Sequence, residues 1–127
     1  MIRIYGLGDK LNPIKRLLSD VINQCMVEAL TFPPNKRAHR FFPMERDDFF
    51  CPEGRSDAYT AIEISMMEGR STDAKKRLIH LLFERIEVQI GIAPADIEIT
   101  ITEQPACNWG FRGVTGDEAK LGYRVNV

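Results

Sequence analysis

The chain has 127 residues, 44% of them hydrophobic and 28% charged, enough for one ordered domain with a real core and too few for two. Its 17 Lys and Arg residues nearly balance 18 Asp and Glu, and the net charge of −1 excludes any global attraction to nucleic acid or to an anionic membrane. Cys25, Cys51 and Cys107 are odd in number and widely spaced, which argues against a disulfide framework or a zinc ribbon and for a reduced, cytoplasmic setting. No charged leader precedes an apolar run at the amino end, and no stretch approaches about 18 continuous apolar residues, so neither export nor membrane spanning is expected.

Ile2-Arg3-Ile4-Tyr5 alternates as a short strand does, and Gly6, Gly8 and Asp9 break it. Asn12 is placed to cap a helix with Pro13 in its first turn, and Ile14, Leu17, Leu18, Val21, Ile22, Cys25 and Ala29 then recur at helical spacing until Pro33-Pro34. A second strand is expected over Ala38 to Phe42. From Pro43 to Tyr59 runs a long connection, in which Phe49-Phe50 reads as a packing anchor.

The stretch from Ala61 to Thr102 is the clearest unit in the chain. Ala61 to Ser65 alternates as a strand with one buried face, and Ser71-Thr72-Asp73 offers side-chain acceptors to the first N–H groups of a helix running to about Gln89. Leu78, Ile79, Leu82, Phe83, Ile86 and Ile90 share one side of that helix, and Gly91 suits its end. Ile97 to Thr102 alternates again, and a crossover of this length normally joins parallel strands.

A shift of sixty positions superposes the halves: Ile2-Arg3-Ile4 falls on Ile62-Glu63-Ile64, Asn12 on Thr72, Leu18 on Leu78 and Pro34 on Pro94. One domain over residues 1–127 is therefore expected, with an internal repeat of about 1–45 and 61–105 and a carboxy-terminal arm over 106–127. The fold class is α+β: two β-α-β units forming a four-stranded mixed sheet with both helices on one face. The second face, expected to carry alternating isoleucines with too few helices to cover it, implies self-association.

The arm concentrates Trp109, Phe111 and Arg112 among glycines, a mixture that lines an anionic small-molecule site or docks on a neighbouring subunit. Leu121 to Val127 reads as a final short strand. Arg70, in a Gly-Arg-Ser turn before a helix, can hold an anion together with free backbone N–H groups. Arg40 and Arg55 read as structural, Lys36 as a solvated lysine that could also pair with an acid or serve as an amine nucleophile, and Cys107 as a packed thiol. His39 and His80 lack zinc-ligand spacing, glycine-rich phosphate loops and serine nucleophile motifs are absent, and no metal or cofactor is expected.

The element order, the sixty-residue duplication, Pro33-Pro34-Asn35-Lys36-Arg37, Gly54-Arg55-Ser56, Gly69-Arg70-Ser71 and Asn108-Trp109-Gly110-Phe111 together resemble the tautomerase superfamily, most closely its longer, decarboxylase-like branch. The resemblance implies a homotrimer with active sites near subunit boundaries and an amino-terminal proline, exposed on removal of the initiator methionine, as base or acid. Here Ile2 follows Met1, so Met1 is expected to be retained and no proline holds the terminus. Lys36 stands where the branch places a water-assisting acid, and Glu68 stands where the first of two arginines would be, while Arg70 matches the second. Trp109 and Phe111 match an aromatic wall. These departures argue against decarboxylase or dehalogenase chemistry.

What remains is an isomerase of a small keto or enol carboxylate, with Met1 and Arg70 catalytic and Arg112, Trp109 and Phe111 binding substrate. An α-amine beside Arg70 would have its pKa lowered by burial and like charge, suiting it to act as a base or to form an imine. The alternative is an inactive trimer of the same fold that binds small molecules or serves structurally.

Overall fold

The computed structural model describes residues 1–127. Strand β1 (Ile2–Leu7) leads through a short helix α1 (Gly8–Leu11) into α2 (Lys15–Leu30) and then β2 (His39–Met44). The second unit is β3 (Thr60–Met67), α3 (Thr72–Ile90) and β4 (Ile97–Gln104), and the arm carries a small hairpin, β5 (Gly110–Phe111) with β6 (Val114–Thr115). The four long strands form one sheet in the order β2-β1-β3-β4, parallel within each unit and antiparallel at the centre, where β1 meets β3. Arg3 pairs there with Glu63, the residue sixty positions on, and Ile2 and Ile4 pair with Ile64 and Ile62.

The sheet's isoleucines point one way. Ile2, Ile4, Ile62 and Ile64 are buried in a single cluster with Leu18, Val21 and Ile22 of α2 and Leu78, Leu82 and Ile86 of α3. This corrects the expectation that isoleucines would line the uncovered face. By alternation that face carries Arg3, Tyr5, Arg40, Phe42, Glu63, Glu98 and Thr100, with Tyr5 stacked on Phe42 at 4.9 Å between centroids. The two long helices are also tied to each other at the surface, where Arg85 pairs with Glu28 at 2.8 Å and Arg77 donates to the Glu28 carbonyl.

Helix ends follow the local chemistry at most joints. Ser71 accepts a hydrogen bond from the Ala74 N–H at 3.1 Å and caps α3, and Gly91, at φ 87°, ends it in the left-handed region. Thr31 ends α2 in the same conformation just before Pro33-Pro34. Asn12 is not a cap: the chain has already turned helical at Gly8, Asn12 closes α1 instead, and α2 starts at Lys15 without a side-chain cap. Pro43 is tolerated within β2 because that strand lies at the sheet edge.

In the long connection Phe49 packs on Tyr59 at 5.5 Å, whereas Phe50 is 86% exposed and is not buried within the subunit. Tyr59 donates to Glu98, and Asp96 accepts from both the N–H and the hydroxyl of Ser56, fixing the loop to the start of β4. Leu121 to Val127 does not form a strand; Leu121 and Tyr123 line a cleft instead, and the Val127 carbonyl accepts from the Ser71 N–H. Because Ile4 is fully buried where the helices meet the sheet, Ile4→Ala should lower the unfolding free energy by about 2–5 kcal/mol, measured by urea denaturation.

Candidate active site

One end of the sheet opens into a cleft of about 310 Å³. Its base is built by Met1, by Ser65, Met66 and Met67 at the end of β3, and by Arg70 in the turn that follows. Met26 of α2, with Phe32 and Lys36 beyond it, forms one wall, and Trp109, Phe111 and Arg112 of the hairpin region form another. Leu121 and Tyr123 of the arm complete the lining. All five expected site residues, Met1, Arg70, Arg112, Trp109 and Phe111, are thus neighbours of one space. The lining contains Lys36, Arg70, Arg112 and the Met1 amine but no carboxylate.

Met1 is held as an extra residue of β1. Its amine donates to the Ser65 carbonyl at 2.8 Å, and its own carbonyl accepts from the Ser65 N–H at 2.8 Å. Burial removes water from the ammonium, and Arg3, Arg40 and Arg70 add like charge, so its pKa falls from 8.0 to about 6. At neutral pH the amine is therefore largely unprotonated. Arg40, expected to be structural, contributes to this field from the neighbouring strand.

Arg70 is 7% exposed. Its Nη1 donates to the Met67 carbonyl at 3.2 Å, whereas its Nε is buried without a hydrogen-bond partner. An unpaired buried N–H on a charged group costs roughly 1–3 kcal/mol, which an anion in the cleft would offset. Two backbone N–H groups of this turn are already taken: that of Ala74 donates to the Ser71 hydroxyl, and that of Ser71 donates to the Val127 carbonyl at 2.9 Å. Gly69, at φ 137°, leaves room for this segment of the arm, since a Cβ there would stand 2.7 Å from Asn126 Oδ1.

Trp109 is fixed by its surroundings. Its indole N–H donates to the Gln104 carbonyl at 3.4 Å, and its carbonyl accepts from the Gly116 N–H at 2.7 Å. The Arg112 guanidinium lies 5.1 Å from the Phe111 ring centroid, and Arg112 itself takes a left-handed φ of 53° at the hairpin tip. Cys107 is exposed rather than packed, with its thiol turned to Asn108. His39 is occupied by a 2.8 Å hydrogen bond with Ser19, and burial pushes its pKa down to about 4. No three His, Cys, Asp or Glu side chains are gathered as a metal ion would require.

Tyr123, Met26, Met66 and Met67 line the cleft without a signal singled out in the sequence, and Lys36 differs from a freely solvated lysine. Lys36 is exposed, but at the cleft, with its ammonium 5.4 Å from the Tyr123 ring centroid. Tyr123 also meets Phe32 edge-on at 5.1 Å. Of the chain's 5 methionines, Met1, Met26, Met66 and Met67 line this one space. The adjacency of Met66-Met67 to Arg70 was a usable signal; nothing around Tyr123 was.

The family model described as tautomerase enzyme matches residues 36–112, more than half of the chain. This chain belongs to the tautomerase family. It is 34% identical over 59 residues to the probable tautomerase RSp0893 of Ralstonia nicotianae, covering 46% of this chain and 84% of the relative. Among solved structures it is similar to FG41 malonate semialdehyde decarboxylase, with 26% identity, a TM-score of 0.79 and coverage of 87% and 88% of the two chains. The fold is also that of a fused 4-OT described as an asymmetric trimer, with 18% identity, a TM-score of 0.80 and coverage of 91% and 95%. No helix is long and apolar enough to cross a membrane.

Gly116 holds the aromatic wall in place. A Cβ there would stand 2.4 Å from the Ala106 carbonyl oxygen and 3.1 Å from Trp109 Cβ, so Gly116→Ala must displace the turn beneath the indole. A shift in the emission of the chain's single tryptophan, with the far-ultraviolet dichroism unchanged, is the expected result.

Proposed function

We propose that this protein is an isomerase that moves a proton between carbon and oxygen in a small keto or enol carboxylate, working as a cytoplasmic homotrimer without a cofactor. The observation that carries the reading is the Met1 amine, held at a pKa of about 6 in a cleft that contains three other cationic side chains and no carboxylate. Arg70 holds the substrate carboxylate through its unpartnered Nε, and Arg112 adds charge at the mouth. The neutral amine takes the proton from one atom and, as the ammonium, returns it to the other. Trp109 and Phe111 exclude water, which strengthens each of these interactions. Because the enediolate-like state carries more charge near the cations than the ground state does, the cationic lining favours the transition state.

The uncovered sheet face supports the trimer. Its Arg3, Arg40, Glu63 and Glu98 can pair across a boundary, and Phe42 is 39% exposed. The second reading is a tautomerase-fold assembly without turnover. It is favoured by one observation: the amine is primary and already donates to the Ser65 carbonyl, as an ordinary strand residue would.

Ultraviolet-monitored ketonisation of enol acids, phenylenolpyruvate and 2-hydroxymuconate among them, separates the two. On the isomerase reading kcat/KM rises with pH to a plateau above an inflection near pH 6, because only the neutral amine is a base. Blocking the α-amine abolishes the rate, and Arg70→Ala lowers kcat/KM by about 100-fold or more, the usual scale for losing a buried charged partner of a developing anion. A folded protein no faster than buffer across the panel supports the inactive assembly.

A further inference from the structure

The second β-α-β unit holds an ion pair that the first unit lacks. Lys75, in the first turn of α3, pairs at 2.6 Å with Glu103 near the end of β4, and the two side chains are only 26% and 25% exposed. Of the four ion pairs in the chain it is the most buried. Sixty positions earlier stand Lys15 and Pro43, where Lys15 donates to the Asn12 side chain and β2 offers no acid. The pair is therefore a feature of the half that carries Arg70.

Its acid occupies a core-facing row. Alternation along β4 sends Ile97, Ile99 and Ile101 against the hydrophobic core, and Glu103 takes the next position in that row, in register with the buried Met66. Met66 lines the cleft and Arg70 follows four residues on, whereas Glu103 is not part of the lining. The carboxylate nevertheless acts on the site. Burial lowers the pKa of the Arg70 guanidinium, and Tyr123 and the Glu103 charge oppose that shift, Glu103 being the one carboxylate to do so. The two side chains make no hydrogen bond: Arg70 Nη1 donates to the Met67 carbonyl, its Nε has no partner, and Glu103 is taken by Lys75.

Two arrangements of these three groups compete. With Glu103 on Lys75, the Arg70 guanidinium is left open to an anion entering the cleft. With Glu103 on Arg70, the chain's own acid would satisfy the guanidinium in the fork geometry that such pairs favour, and an incoming anion would have to displace it. We propose that Lys75 is a positioning residue for this site: by holding Glu103 in an ion pair it prevents an internal Arg70–Glu103 pair and keeps the guanidinium available. This rests on reading the cleft as an anion site, and it adds the device that keeps the chain's own acid out of it. Lys75 touches no ligand. Its effect falls on affinity and KM, through Arg70.

The test compares two ligands that cannot tautomerise, benzoate and its neutral counterpart benzamide. Their binding to the full chain is read by titration calorimetry and by quenching of Trp109, the only tryptophan, with urea denaturation confirming that each variant is folded. Lys75→Met removes the charge and keeps the stem and the helix propensity. It should weaken benzoate about five- to tenfold and leave benzamide unchanged, because only the anion competes with Glu103 for Arg70. Lys75→Arg should keep the native benzoate affinity. The decisive variant combines Lys75→Met with Glu103→Gln, which removes the competitor as well and should return benzoate to within about twofold of native.

Benzoate affinity unchanged in Lys75→Met, an equal loss for benzoate and benzamide, or a double variant no better than the single one would each overturn the assignment and reduce the ion pair to a strut between α3 and β4. A native protein that binds no benzoate at millimolar concentration would remove the anion site, and this inference with it. The isomerase reading is tested apart. The rescue pattern in a protein that turns over no enol acid leaves this inference standing and removes the enzyme, and turnover without the rescue does the reverse.

Discussion

The reciprocal hydrogen bonds between Met1 and Ser65 are the constraint on which the rest of the site depends. They extend the antiparallel pairing of β1 and β3 to the first residue of the chain, so the amine is delivered to the end of β3 that runs into Arg70. Because β1 and β3 are the two central strands, the amine is set in the interior of the sheet and not at a free edge. Burial and three arginines then act on it together, and the pKa falls to about 6 for reasons of position rather than residue type. A methionine amine thereby acquires the protonation state that a base needs at neutral pH.

The cations at the site are kept free by the way the acids are used elsewhere. Glu28 pairs with Arg85 across the helices, Glu103 with Lys75, Asp20 with Arg37 and Asp57 with Arg46. None of these carboxylates lines the cleft, so a near-neutral chain presents a locally cationic space. The arm closes that space from above. It is held at one end by the Trp109–Gly116 hydrogen bond and at the other by Ser71 and the notch at Gly69, with Tyr123 packed on Phe32 between them. The same backbone contacts that order the arm therefore give the cleft its roof.

Much of this was legible in the chain because the determinants were local and periodic. The isoleucine alternation of β1 and β3, the leucine spacing of α3, Ser71 and Gly91 report conformation directly, and the strand-helix-strand order follows from them. The face to which the isoleucines point was not legible, since alternation defines two faces without saying which one the helices cover. Asn12 misled because a good cap residue also suits the end of a preceding helix turn, and α1 is too short to show a period. Trp109, Phe111, Arg112 and Arg70 stood out by composition and local motif. Tyr123 did not, and the motif that marked Lys36 did not show its neighbour, because their contact comes from tertiary packing of a turn and an arm that share no pattern, and a cation–π contact leaves no trace in either segment.

The central claim is that the Met1 amine is a depressed, accessible base in a carboxylate cleft. Competitive labelling of the α-amine as a function of pH, with the site read by mass spectrometry of the amino-terminal peptide, measures it directly. A titration near pH 6, and protection of the amine when a saturating carboxylate ligand is present, is the expected result. A titration near the ordinary value of about 8, with labelling indifferent to the ligand, would contradict it.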